Sequence, residues 1–200
     1  MAALTVLLPV FNGQAYLDEA IASIRRQSFA DFDFLIIDDG STDGSSAIAA
    51  KHAAEDRRIR LLANPGKGLV DGLNFGIAQA STPLIARMDA DDIAMPERLA
   101  LQVARMAAEP DLLVLGTGSI RIDAGGRHRE TVTPPVAMAD IAKALERVNV
   151  IAHPTVMMRR DAVQAAGGYR AAYLRGEDYD LWLRLAERGP LANLAELRLE

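Results

Sequence analysis

Two hundred residues, half of them hydrophobic and 24% charged, suit one globular domain with a sizeable core. A formal net charge of −5 argues against a nucleic-acid partner, and the absence of cysteine excludes disulfides and thiolate metal sites. No apolar run approaches the ~20 residues that span a bilayer. The first residues carry no basic leader, so a reducing, cytoplasmic setting is expected.

Leu4 to Val10 is apolar apart from Thr5 and predicts a strand, while Gln14 to Gln27 spaces Leu17, Ile21 and Ile24 as a helix would. Phe32 to Ile37 predicts a second strand, followed by a Gly/Ser/Asp loop and a helix near Ser45 to Ala54. Ile59 to Ala63 predicts a third strand, leading through a glycine-containing turn to a helix at about Leu69 to Ala80. Pro83 to Met88 reads as a fourth strand and Pro96 to Ala108 as a fourth helix. Apolar strands separated by helices imply an α/β fold with a parallel sheet covered on both faces. Such sheets bind ligands beyond the carboxyl ends of their strands, which gathers the polar loops after Val10, Ile37 and Met88 on one rim.

Beyond Asp111 the alternation loosens. Leu112 to Leu115 and Ser119 to Ile122 predict strands, and Gly125-Gly126 a hairpin turn. Pro134-Pro135 breaks the chain before a helix at about Val136 to Arg147. Thr155 to Met158 predicts a strand, and Glu177 to Arg188 the last helix, with a strand to follow.

Three carboxylates crowd the run Asp89-Ala90-Asp91-Asp92 where the fourth strand meets its loop. Like charges this close repel, so the turn gains by binding a hard divalent cation, Mg²⁺ or Mn²⁺, with oxygen ligands. A solvated acidic turn ahead of the helix near Pro96 is the alternative. In Asp38-Asp39-Gly40-Ser41-Thr42-Asp43-Gly44-Ser45, capping of the next helix accounts for Asp43 or Ser45 but not for the doubled carboxylate. A carboxylate at a strand's end can accept from a ribose hydroxyl or a base N–H. His153, ahead of Pro154, is expected in extended geometry at the start of a strand, either as a structural histidine or as a ligand. Glu177 and Asp178 suit the first turn of a helix electrostatically, and a general base would also be a carboxylate there. The chain lacks G-x-G-x-x-G spacing and a full P-loop, which counts against dehydrogenase and kinase-like activities.

Taken in order, Pro9-Val10-Phe11-Asn12, Asp38 to Asp43, Asp89 to Asp92 and Gly176-Glu177-Asp178 resemble the motifs of the family 2 glycosyltransferases. The resemblance covers nearly the whole chain. It implies a GT-A fold, with a nucleotide-sugar-binding half over 1–110 and an acceptor-binding half over 111–200. It also implies a nucleoside-diphosphate sugar donor (a UDP-sugar is favoured), Mn²⁺ or Mg²⁺, and inversion at the anomeric carbon. Pro9, Val10 and Asn12 would line the nucleotide pocket, Asp39 would meet the base, and Asp89 the ribose or sugar. Asp91 would bind the metal with Asp92 assisting. Asp178 would be the base, with Glu177 and His153 toward the acceptor. The segment Gly68 to Gly76 resembles the family's helix beside the donor. Members of the family commonly continue past the position of Glu200 into a segment that closes over the diphosphate, so a C-terminal truncation is expected. The implied acceptor is a carbohydrate or a lipid-linked sugar met at the inner face of a membrane, in surface-polysaccharide synthesis. A sugar nucleotidyltransferase would want a cationic glycine-rich loop after the first strand, which Phe11 to Gln14 do not offer. A non-catalytic nucleotide-sugar-binding domain is the other alternative.

Overall fold

Strands that carry apolar residues on both faces must be buried on both, because successive side chains point to opposite sides of the sheet. The computed structural model, which describes residues 2–200, obeys this. Strand β1 (Leu4–Val10) sends Val6, Leu8 and Val10 into one core and Leu7 into another. Helices α1 (Leu17–Arg25), α2 (Ser45–Glu55) and α4 (Arg98–Ala108) supply the first core. Helices α3 (Leu69–Gln79), α5 (Met138–Leu145), α6 (Arg160–Ala165) and α7 (Glu177–Ala186) supply the second, around the buried Trp182.

With β2 (Phe32–Asp38), β3 (Ile59–Ala63) and β4 (Leu84–Arg87), the first half forms a parallel sheet in the order β3-β2-β1-β4. The chain leaves β1 to one side for β2 and returns on the other side as β4. The strand order therefore reverses between β1 and β4, the kind of crevice where α/β sheets bind ligands. The sheet continues without a break into antiparallel β7 (Met157–Arg159), β5 (Val114–Ile122) and β6 (His128–Val132), and β8 (Leu191–Leu199) runs parallel to β5. The result is one eight-stranded sheet, mostly parallel in its first half.

Several expected boundaries shift. The two strands expected over 112–122 are one: Gly116 and Gly118 lie inside β5, because a Cβ on Gly116 would stand 2.3 Å from Asn193 Oδ1. Close approach, and not a turn, explains these glycines. The helix expected over 136–147 is confined to Met138–Leu145. His153 does not begin a strand; His153–Thr155 is a 3₁₀ turn and β7 starts at Met157. The turn closes on the Thr155 hydroxyl, which donates to Ala152 O at 2.8 Å. Helix α6 was not expected at all, its six residues being too short for a periodic signal. Among the described residues no helix is long and apolar enough to cross a membrane.

Candidate active site

The turn after β1 and the loop after β2 are laced together by side chains. Asn12 adopts a positive φ of 52°, and its Oδ1 accepts the Thr42 N–H at 2.8 Å. Ser41 and Ser45 hydroxyls accept the N–H groups of Asn12 and Gly13, at 3.0 and 2.9 Å. Asp43 accepts from Gln14 and Ser45 N–H, both at 3.0 Å, so it joins two loops besides serving the start of α2. Asp38 holds its own loop: burial pushes its carboxyl up, but bonds from Ser41 and Ser46 outweigh this and keep it below the ordinary value.

Asp39 points the other way. Both its oxygens accept the Gly68 N–H, at 2.9 Å, and the Asn64 amide donates to Oδ1 at 2.6 Å. Gly68 carries a φ of 85°, which only glycine adopts without strain, and this aims its N–H at the carboxylate. Asp39 then floors a cleft of about 90 Å³ with Pro9, Val10, Phe11, Ile37, Gly68 and Leu69. Phe11 is 61% exposed there, an unusual cost for an aromatic ring outside a binding surface.

The acidic turn follows β4. Arg87, 2% exposed, grips Asp89 with both guanidinium nitrogens; the Nη1–Oδ2 distance is 2.6 Å. Arg98 lies fully buried beneath and donates to the Arg87 carbonyl at 2.6 Å. Asp91 is exposed. Asp92 is largely buried, and burial with the charges of Asp89 and Asp91 pushes its carboxyl up to about 7, against the pull of Arg87 and Arg98. Its Oδ2 has no hydrogen-bond partner. Asp91 and Asp92 stand between two clefts of about 430 and 440 Å³, one walled by Tyr16, Glu19 and Asp123, the other by β5, Ala152 and Pro154.

The donor set of the acidic turn suits Mg²⁺ or Mn²⁺. Among the described residues no three metal-binding side chains form a closed cage. These ions need none, since they take one or two carboxylates and complete their shell with phosphates and water. An exposed Asp91 beside an unpartnered Asp92 oxygen fits such an ion.

Glu177 and Asp178 open α7. Glu177 is 7% exposed with Oε2 unpartnered. Asp178 is half-buried; Asn149 Nδ2 donates to Oδ2 at 2.8 Å and its neighbour's Tyr179 N–H to Oδ1 at 2.7 Å. Burial raises its carboxyl above the ordinary value, the two bonds pull it down, and the Glu177 charge adds to the rise. Tyr169 is buried, and the charges of Arg87, Asp178, Glu177 and Asp89 all act on its hydroxyl. Asn74 of α3 clamps its backbone by two bonds of 2.9 Å.

Residues 5–167 match the family model described as glycosyl transferase family 2. The chain belongs to that family. One relative of this family 2 glycosyltransferase is the O-antigen biosynthesis glycosyltransferase WbnJ of Escherichia coli, 34% identical over 188 residues, spanning 94% of the chain and 73% of WbnJ. The fold is GT-A. TarS of S. aureus, solved in complex with UDP, superimposes with a TM-score of 0.81 at 19% identity, over all of this chain and 60% of TarS. A mannosyltransferase of Pyrobaculum calidifontis, solved with GDP-Man and Mn²⁺, gives a TM-score of 0.72 at 18% identity over 98% of the chain and 55% of that protein.

The family 2 motifs do not all reach the same space. Pro9, Val10 and Asp39 line one cleft, but Asn12 spends its side chain on the neighbouring loop. The charges of Asp89, Glu177 and Asp178 all bear on the buried Tyr169 hydroxyl. His153 is turned inward: it is 9% exposed, its Nε2 meets the Tyr169 hydroxyl at 2.9 Å, and its ring packs edge-on to Trp182. Burial and the Arg87 charge hold it well below the ordinary histidine range, hence neutral. Asn64, Arg87, Arg98, Asn149 and Tyr169 escaped sequence reasoning. Arg87 alone left a signal, a charge inside an otherwise apolar strand.

Proposed function

We propose that the chain is a metal-dependent, inverting glycosyltransferase that moves a sugar from a nucleoside-diphosphate donor, a UDP-sugar by preference, to an acceptor hydroxyl. The carrying observation is that the Asp39 cleft and the Asp89–Asp92 turn both follow the carboxyl ends of parallel strands, β2 and β4, on either side of β1, with an unpartnered oxygen on Asp92. WbnJ's role in O-antigen synthesis supports a carbohydrate or lipid-linked acceptor of a surface polysaccharide, met peripherally at the inner face of the membrane. UDP bound to TarS, and Mn²⁺ bound to the mannosyltransferase, support the donor and cation classes.

Each residue then has a task. Asp39, already fixed by Gly68 and Asn64, offers its remaining lone pairs to the base, and Phe11 offers an apolar face beside it. Asp89, its charge matched by Arg87, accepts from ribose or sugar hydroxyls. Asp91 and Asp92 hold the divalent cation, which when bound supplies Lewis-acid stabilisation to the departing diphosphate. Asp178 takes the acceptor's proton as its oxygen bonds to the anomeric carbon and the bond from that carbon to the diphosphate oxygen breaks on the opposite face. Asn149 and the Tyr179 N–H keep that carboxylate aimed. Glu177 orients the acceptor. Holding the reactants in line contributes at most ~7–11 kcal/mol of barrier reduction.

Calorimetric titration of UDP and GDP, with Mn²⁺ and with chelator, tests this reading. Binding of one nucleotide is expected, measurable in chelator and tighter with Mn²⁺. Failure of both to bind with Mn²⁺ present would sink the donor site.

A further inference from the structure

Beneath the acidic turn runs a buried polar chain that the transfer chemistry does not use. Arg98, the first residue of α4, donates to the Arg87 carbonyl at 2.6 Å and through Nε to Gln102 Oε1 at 3.2 Å. Gln102 has no solvent exposure, and its amide donates to the carbonyls of Leu115 and Thr155, both at 2.8 Å. Thr155 belongs to the turn that begins at His153, and its hydroxyl accepts the Thr117 N–H at 3.1 Å. Two side chains thus join the strand that carries the acidic turn to β5 and to the turn under Tyr169.

A guanidinium removed from water is unfavourable unless its charge and its N–H groups are matched, and an apolar residue would fill the space more stably. Arg98 Nη1 has no hydrogen-bond partner, and neither has Asp92 Oδ2. A buried ionic group kept at such a junction serves registry better than stability. Resting on the donor-site reading above, we propose that Arg98, relayed by Gln102, is a positioning residue: by holding the Arg87 carbonyl, two residues ahead of Asp89, it sets the Asp89–Asp92 turn in register with the acceptor half.

The test compares Arg98→Met, Arg98→Lys and Gln102→Met by three readouts. Mn²⁺ is titrated alone and followed by loss of the free-ion resonance signal. UDP is titrated in chelator and with Mn²⁺. Turnover and KM for the donor are then measured. Partners that orient metal ligands typically carry ~10–100-fold in affinity, so Arg98→Met should weaken Mn²⁺ about tenfold. UDP affinity in chelator should stay unchanged, since the Asp39 cleft does not touch α4. Arg98→Lys should recover part of the loss. Gln102→Met, the milder change, should lower kcat while leaving donor KM near wild type. Wild-type Mn²⁺ affinity in Arg98→Met would overturn the proposal, as would loss of UDP binding in chelator in step with that of Mn²⁺, the mark of plain unfolding. A wild-type chain that binds Mn²⁺ but no nucleotide would refute the donor site alone, and the Mn²⁺ comparison would still decide the role of Arg98. A wild-type chain that takes up no Mn²⁺ would overturn both.

Discussion

Asp178→Asn removes a base at almost constant volume, and its consequences can be worked out from the bonds around it. Asp178 accepts two N–H groups on two different oxygens, from Asn149 and from Tyr179. An amide can serve only one of them with oxygen. Asn149 is not free to flip, because its Oδ1 already accepts the Ile151 N–H at 3.1 Å. One contact therefore becomes donor facing donor, at about 1–3 kcal/mol for an unmatched buried group, which lowers Tm by several degrees. Loss of general-base assistance is worth ~10²–10⁴-fold in turnover, about 3–5 kcal/mol. Donor affinity should hold within about twofold, because no residue of α7 lines the Asp39 cleft.

The pH dependence gives an independent check. Burial raises the Asp178 carboxyl above 3.8, and the base acts only when ionised, so turnover climbs with pH through that raised value. Stability runs the opposite way. A folded-state value above the unfolded one means the native state binds the proton more tightly, so the contribution is present below 3.8 and lost as pH rises through the raised value. Asp178→Asn should flatten both profiles. Initial rates of UDP release across pH, beside UDP calorimetry and thermal melts, measure all of these. A variant that keeps more than about a tenth of wild-type turnover would refute the base assignment.

Asp39→Ala frees the Gly68 N–H and the Asn64 amide and should weaken UDP about tenfold by calorimetry, with or without Mn²⁺. Gly76→Ala places a Cβ 2.2 Å from the tip of the buried Leu7, and denaturant melts should show ~1–3 kcal/mol lost to overpacking, with the nucleotide site unaffected. In chelator, Asp92→Asn should gain stability relative to wild type as pH rises from 3.8 through about 7, where the wild-type carboxyl must ionise in its buried site. A wild-type melting profile as flat as that of Asp92→Asn would count against burial as the cause.

The first half was legible because each of its signals is local. Runs such as Leu4–Val10 and Phe32–Ile37 are apolar but for Thr5 and Asp33, and the loops that follow carry the acids, so sheet and rim emerge from the same pattern. The second half was harder, because its elements are short and paired at long range. Gly116 and Gly118 look like punctuation and are in fact contact points. His153 reads from sequence as either a structural histidine or a ligand, because nothing near it in the chain foretells a neutral ring held by Tyr169 and Trp182. The bonds that aim the reactive carboxylates come from far along the chain: Asn64 to Asp39 spans 25 positions and Asn149 to Asp178 spans 29.

The acidic turn shows why counting carboxylates in a motif does not assign their work. From sequence, Asp89, Asp91 and Asp92 are three similar charges seeking a cation. In the fold, Asp89 already has one, the two-pronged guanidinium of Arg87, and this pairing is buried on the arginine side. A carboxylate so engaged is a poor metal ligand, since the ion would displace a charge-assisted bond pair to bind it. Its outward lone pairs still suit a neutral hydroxyl. Asp91 faces solvent and Asp92 keeps an unpartnered oxygen, so under the proposed function the cation falls to those two. The two buried arginines offset part of the repulsion that would otherwise make the empty turn unstable. The turn is thereby organised before any ligand arrives, and binding energy need not be spent on gathering like charges.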